Sequence, residues 1–219
     1  MKKAQESNRF ENEIVPLEIR KTDKKGNVST ATACVDLHPK PQTTLEVLKT
    51  LPPAFEKDGI VTAGSSSGSN SGAAAIVIMA EEEALRRELK PIAYLNAFAF
   101  GGVDPRLMGT GPVPAIHKLL NKANLSLDDI DVLEINEAFA AQVLSCMKIF
   151  GHYIGTPLYD RLNPNGGAVA IGHPEGCTGV RLTMTVAEEL RRTGKKYGIA
   201  SACIGGGQGA AILIENAQV

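Results

Sequence analysis

With 219 residues, 43% of them hydrophobic, the chain is long enough to bury a core and too apolar to stay disordered. Its formal charge of −1, from 23 basic and 24 acidic residues spread along the sequence, sets up no field that would gather a polyanion, which excludes nucleic-acid binding. Four cysteines (34, 146, 177 and 203) without paired spacing, no apolar run near the ~20 residues that span a bilayer, and a charged start with no apolar stretch behind it give the remaining expectations: reduced thiols, no metal, no membrane, a cytoplasmic location.

Residues 1–60 are rich in charge and interrupted by Pro16, Pro41, Pro52 and Pro53, which suits a cover layer rather than a core. Residues 64–72 read Gly-Ser-Ser-Ser-Gly-Ser-Asn-Ser-Gly, a flexible linker by composition alone. The fully apolar run 73–79 directly behind it argues instead for a buried strand. Residues 81–89 then predict a short helix with Glu83 one turn before Arg87.

A second unit starts near Pro91, with a strand predicted over 92–98 and a glycine-rich loop over 101–111. Ala115, Ile116, Leu119, Leu120 and Ala123 share one face of a helix entered at Pro112, where a missing N–H costs nothing. Residues 132–135 read as a short buried strand. In the helix predicted over 138–150 only Gln142, Ser145 and Lys148 are polar, recurring every three residues, which predicts burial nearly all round. A helix over 178–192 and strands over 197–203 and 210–215 close the chain. The order from residue 91, β-α-β-α-loop-α-β-β, argues for an α/β layered fold with strands covered on both faces. No internal repeat stands out.

Three segments carry chemistry. In Cys203-Ile204-Gly205-Gly206-Gly207-Gln208-Gly209, a cysteine at a strand end is commonly just a core residue. The glycines tip the balance, because bare backbone N–H groups can approach a ligand as an oxyanion site. A thiolate there would move a proton at carbon, given a cation or N–H donors that lower its pKa. His173, in Ala170-Ile171-Gly172-His173-Pro174, is either a satisfied core histidine or a group at a bend that activates a thiol or donates to a thioester oxygen. Asn136, before Glu137, either caps the following helix or orients a water. Asn165-Gly166-Gly167 reads only as a tight turn, and the Gly101-Gly102 and Gly109-Thr110-Gly111-Pro112 glycines lack the lysine and hydroxyl of a phosphate-binding P-loop.

In this order, Asp36-Leu37-His38-Pro39-Lys40, Pro53-Ala54-Phe55, Thr62-Ala63-Gly64-Ser65-Ser66-Ser67-Gly68, Met108-Gly109-Thr110-Gly111-Pro112, Asn136-Glu137-Ala138-Phe139-Ala140 and the His173 and Cys203 segments resemble the C-terminal half of the thiolases, the acyl-CoA acyltransferases. The resemblance implies a thiolase-like layered α/β/α fold. Residues 1–60 would be a partial loop or cover region, 61–90 the closing strand and helix of an incomplete N-terminal domain, and 91–219 the C-terminal domain. It implies that Cys203 is the acid/base thiol and that His173 activates the nucleophile and helps hold a thioester oxygen. Asn136 would position a water that shares this task, and the N–H of Gly205 would serve an oxyanion hole. Phe55, Ala63, Ser66, Ser67, Ala138 and Phe139 match positions lining the pantetheine and CoA channel, and Lys40 one near the nucleotide end.

Coenzyme A and acyl-CoA are the substrates so implied, with no permanently bound cofactor. The family's nucleophilic cysteine, in a Cys-x-Ser-Gly context, has no counterpart here. The expectation is therefore a split thiolase, active in 3-ketoacyl-CoA thiolysis or Claisen condensation only with a separate N-terminal-half chain, in a homo- or hetero-oligomer. The alternatives are a non-catalytic CoA-binding or assembly subunit and a fragment of an ordinary thiolase. Four departures from the family pattern accompany this. Ser65 and Ser71 replace asparagine and aspartate and are expected to loosen the CoA-facing turn, Val47 replaces a polar residue near the adenine end, and Glu175 brings a carboxylate beside the imidazole.

Overall fold

The computed structural model describes residues 1–219. Upstream of residue 90 regular structure is sparse: helix α1 (Lys2–Glu6), a hairpin of β1 (Leu17–Thr22) and β2 (Val28–Ala33), and short helices α2 (Leu45–Lys49) and α3 (Glu81–Arg86). The hairpin is exposed on both faces, since a lone two-stranded ladder has no second layer to bury a face against.

The body is a mixed sheet of β3 (Ala93–Gly102), β4 (Val132–Ile135), β5 (Tyr197–Ile204) and β6 (Gln208–Asn216) in the order β3-β6-β5-β4. Both β6 pairings are antiparallel, while β4 and β5 run parallel. Side chains alternate along each strand and sort into two cores. Leu133, Ile135, Ile199, Ala211 and Leu213 pack under α4 (Pro112–Ala123) and α5 (Ala140–Ile149). Val132, Ala200 and Ile214 pack under α8 (Thr178–Thr193), against Leu182, Val186 and Leu190. Two short helices, α6 (Pro157–Asp160) and α7 (Ala168–Ile171), lie in the crossover that a parallel pair requires. The fold is thus α/β with a helical layer on each side.

Coverage stops at β3. Helix α8 packs mainly over β4, β5 and β6, and Phe98 and Phe100 on this edge strand are each 60% exposed.

Helix α4 starts with Pro112 at its first position, buries Ala115, Ile116, Leu119 and Leu120, and ends at Asn124 in the left-handed conformation. Each buried leucine or isoleucine contributes roughly 1.5–3 kcal/mol. The helix start sits so close to β6 that a Cβ on Gly209 would fall inside the backbone of Gly111, and one on Gly111 inside that of Gln208. Backbone cannot rotate away as a side chain can. Gly209→Ala is therefore expected to lower stability by about 3 kcal/mol or more, read as a shift of the urea midpoint; an unchanged midpoint would refute this packing.

Two predicted elements differ from the sequence reading. Residues 73–79, expected as a closing strand, carry no regular structure and join no ladder, and Val77 and Ile78 are 86% and 66% exposed. A segment becomes a strand only when a neighbour completes its hydrogen bonds, and residues 73–79 make no backbone hydrogen bond to any other part of this chain. Residues 75–79 instead line an open cleft of about 930 Å³ with α3, β3 and α8, whose walls include Ile76, Leu85, Leu89, Leu95 and Met184. The second difference is α5, which is not buried all round. Gln142, Val143, Cys146 and Met147 face inward, and Cys146 Sγ donates to Gly109 O at 3.4 Å, whereas Leu144 and Ile149 are 47% and 55% exposed. The every-third-residue polar pattern failed because polar Gln142 points into the core and apolar Leu144 does not.

Candidate active site

Parallel pairing sets the C-terminal ends of β4 and β5 side by side, with Ile135 opposite Ser201. The residues that follow, Asn136 on one strand and Cys203 on the other, emerge at this shared end, where α/β sheets present ligand sites. Asn136 is 1% exposed, and its main-chain N–H donates to Ser201 O at 2.9 Å. It does not cap α5, which starts after Phe139 without a side-chain cap. Instead its Nδ2 lies 3.5 Å from His173 Nε2, and its Oδ1 is buried with no protein partner.

Glu137 holds the facing loop. Its carboxylate accepts from Asn163 Nδ2 and from the Val169 N–H, both at 3.0 Å, and occupies the place a Cβ on Gly167 would take. The Asn-Gly-Gly stretch is thus more than a turn, because its second glycine seats a carboxylate.

His173 follows α7 through Gly172, whose φ of +102° and contact with the Asn70 amide both call for glycine. Its N–H donates to Gly68 O at 2.8 Å, and its Nδ1 lies 2.6 Å from Thr178 Oγ1. Burial pushes the imidazole below its ordinary pKa; Glu175 opposes that shift and Arg181 adds to it. At neutral pH the ring is therefore neutral and able to accept a proton.

Cys203, near the end of β5, pairs with Gly209 across a hairpin whose Gly206 and Gly207 have φ of +85° and +87°. Nothing lies within 4 Å of where a Cβ on Gly205 would stand, so this backbone is open to an approaching ligand. The lowered pKa that the sequence reading set as the condition for a resting thiolate is not met. Burial pushes Cys203 up, and its own backbone hydrogen bond only partly offsets this, so it rests as a protonated thiol.

The expected substrate-binding residues fall in two groups. Ser66 bridges to Phe139, the Ser67 N–H donates to Ala138 O at 3.1 Å, and the Phe55 and Phe139 rings stack edge to face at 6.0 Å. Ala63 opens the short 3-10 turn Ala63–Ser65 beside them. Ser65 does not loosen that turn: its hydroxyl accepts from the Thr62 N–H at 2.9 Å and closes it. Lys40 is exposed and its ammonium forms no ion pair with the rest of the chain.

The family model described as "Thiolase, C-terminal domain" matches residues 89–216, and "Thiolase, N-terminal domain" matches residues 1–82. The chain belongs to the thiolase family. It is 46% identical over 215 residues to the human mitochondrial 3-ketoacyl-CoA thiolase, covering 98% of this chain and 52% of that protein. It is likewise 46% identical over 210 residues to the Syntrophomonas wolfei acetyl-CoA acetyltransferase, covering 96% of this chain and 51% of the relative. The crystal structure of the Bacillus anthracis acetyl-CoA acetyltransferase superposes with a TM-score of 0.90 at 46% identity, over 98% of this chain and 52% of that one. A human mitochondrial 3-ketoacyl-CoA thiolase in complex with CoA superposes with a TM-score of 0.86 at 44% identity, over 98% and 51% of the respective chains. This thiolase chain therefore spans about half the length of the relatives it matches.

Two features at and near this sheet end were not legible beforehand. Thr178 reaches His173 only because α8 starts at residue 178, and a five-residue spacing signals nothing until that start is known. Buried Glu134, 3.7 Å from Arg181, occupies a position that the β4 pattern predicts to be apolar. No group of three His, Cys, Asp or Glu is placed to hold a metal ion, and no helix is long and apolar enough to cross a membrane.

Proposed function

We propose that this chain is one half of a split thiolase, acting on acyl-CoA with a complementary chain that brings the nucleophilic cysteine. The observation that carries the reading is an Asn136–His173 pair and a glycine-flanked Cys203 at one sheet end, in a chain whose four cysteines all lack a Cys-x-Ser-Gly context. Neutral His173 would take the proton of the incoming nucleophile, and Asn136 with His173 would flank the thioester oxygen of the acyl-CoA. In thiolysis the nucleophile attacks the 3-keto carbon, the C2–C3 bond breaks, and the protonated Cys203 thiol delivers its proton to the departing α-carbon. Free CoA then takes the acyl group. Condensation runs the same steps backward, with Cys203 as the base. Phe55, Ala63, Ser66, Ser67, Ala138 and Phe139 would contact the pantetheine arm, and Lys40 the nucleotide end.

The test is reconstitution: the chain is purified with its complement and assayed for CoA-dependent cleavage of a 3-ketoacyl-CoA. Absence of cleavage in a stable complex would sink the proposal. A CoA-binding or assembly subunit is the second reading, favoured by exposed Glu175 beside the imidazole. Activity that survives both Cys203→Ala and His173→Ala would select it. A cytoplasmic location and an oligomer complete the proposal, the first resting on four free thiols and the second on the unpaired 73–79 segment.

A further inference from the structure

Thr178 is 3% exposed, and its hydroxyl makes two contacts: His173 Nδ1 at 2.6 Å and the Pro174 carbonyl at 3.2 Å. A hydroxyl has one proton to give. The carbonyl, which also takes the Cys177 and Thr178 N–H groups, can only accept, so the arrangement that makes both hydroxyl contacts hydrogen bonds gives the Oγ1 proton to Pro174 O and leaves Oγ1 to accept from an Nδ1–H. On the far side of the ring, Asn136 Nδ2 faces Nε2, which agrees with a lone pair there. Both neighbours therefore favour the same tautomer.

From this geometry we infer that Thr178 is a positioning residue that holds His173 in the Nδ1–H tautomer and keeps Nε2 free as the proton acceptor. The inference rests on the thiolase reading of His173 for its consequence, and on the hydrogen-bond geometry alone for the tautomer. When Nε2 takes a proton the ring becomes a cation with both nitrogens protonated, and the chain Nδ1–H to Oγ1 to Pro174 O stays intact. Protonated Nε2 then faces the Asn136 amide donor, so that 3.5 Å contact opens, while on the Nδ1 side the cation keeps its hydrogen bond unchanged. Two further constraints fix the hydroxyl. Position 178 is the first of α8, where a side chain reaches back to the preceding turn, and the β-branch of threonine narrows the choice of rotamer. Glu175 and Arg181 act on the same ring with opposite signs, so neither replaces the hydroxyl.

The test is read first by NMR on the full chain labelled at histidine nitrogen, where long-range proton–nitrogen correlations report the tautomer. Wild type and Thr178→Ser are expected to show Nδ1–H, and Thr178→Val a shift toward Nε2–H. In the reconstituted complex, Thr178→Val is expected to lower kcat by about 10–100-fold, the equivalent of one lost hydrogen bond to a charged group, with KM for CoA unchanged and Thr178→Ser restoring the rate. An Nε2–H ring in wild type, or a valine variant with the wild-type tautomer, overturns the inference. Thr178→Ala serves as the second variant if valine does not fold. A wild-type complex without thiolysis would remove the split-enzyme reading and leave the tautomer result to decide this one.

Discussion

Arg181→Met is expected to cost about 3–5 kcal/mol of unfolding free energy near pH 9 and distinctly less near pH 6. Glu134 is fully buried on β4, with both carboxylate oxygens lacking a hydrogen bond, and the Arg181 guanidinium 3.7 Å away opposes its desolvation. Burial nevertheless raises Glu134 from 4.5 to about 8. The folded chain therefore keeps a proton that the unfolded chain releases between pH 4.5 and 8, and stability falls as pH rises through that window. Glu13, raised by burial to about 7 where its carboxylate accepts from Thr185 at 2.6 Å, adds a slope of the same sign ending about a unit lower.

Without Arg181 the Glu134 proton is held still more tightly, so the decline runs on into alkaline pH. Glu134→Gln should flatten part of the slope and leave the share that belongs to Glu13. Urea melts of the three proteins near pH 6 and pH 9 check this. Equal destabilisation by Arg181→Met at both values would show that the two charges do not interact as described.

In the reconstituted complex, Cys203→Ala is expected to lower kcat by about 10²–10⁴, the usual worth of a positioned acid or base. The loss should appear in kcat and leave CoA affinity intact, because the residues that contact Phe139 and Ala138 lie on other segments. Burial keeps the wild-type thiol protonated, so the substitution takes away a proton donor at this sheet end. On the acid side, activity should rise with pH through the lowered His173 pKa and be near its maximum at neutrality, as the ring must be neutral to accept a proton. Retention of more than about a tenth of the wild-type kcat in Cys203→Ala would place the acid/base function elsewhere.

Much of the body could be read from local pattern. The apolar face of α4, the four buried residues of β4 and the glycine turn between β5 and β6 appear where the spacing of residues puts them, because each depends on neighbours a few positions away. The site motifs were legible as motifs for the same reason: Asn136, His173 and Cys203 sit at a strand end, a bend and a strand end. Their roles at atomic level were not. Whether Asn136 caps a helix or faces an imidazole depends on a loop 37 residues away, and local chemistry permits both.

What the sequence by itself determined was the α/β order of elements, the family and the identity of the residues gathered at the sheet end. Tertiary structure alone decided the state of those residues and the surfaces around them. A thiol's pKa follows from how much water the fold removes, so Cys203 rests protonated, a state its neighbouring glycines left open. The apolar run 73–79 forms no strand because no neighbour in this chain completes its hydrogen bonds, and α5 buries a glutamine while exposing a leucine because only one of its sides meets this chain. Hydrophobic pattern records which residues prefer to leave water. Which neighbour removes them from it is a property of the assembled fold.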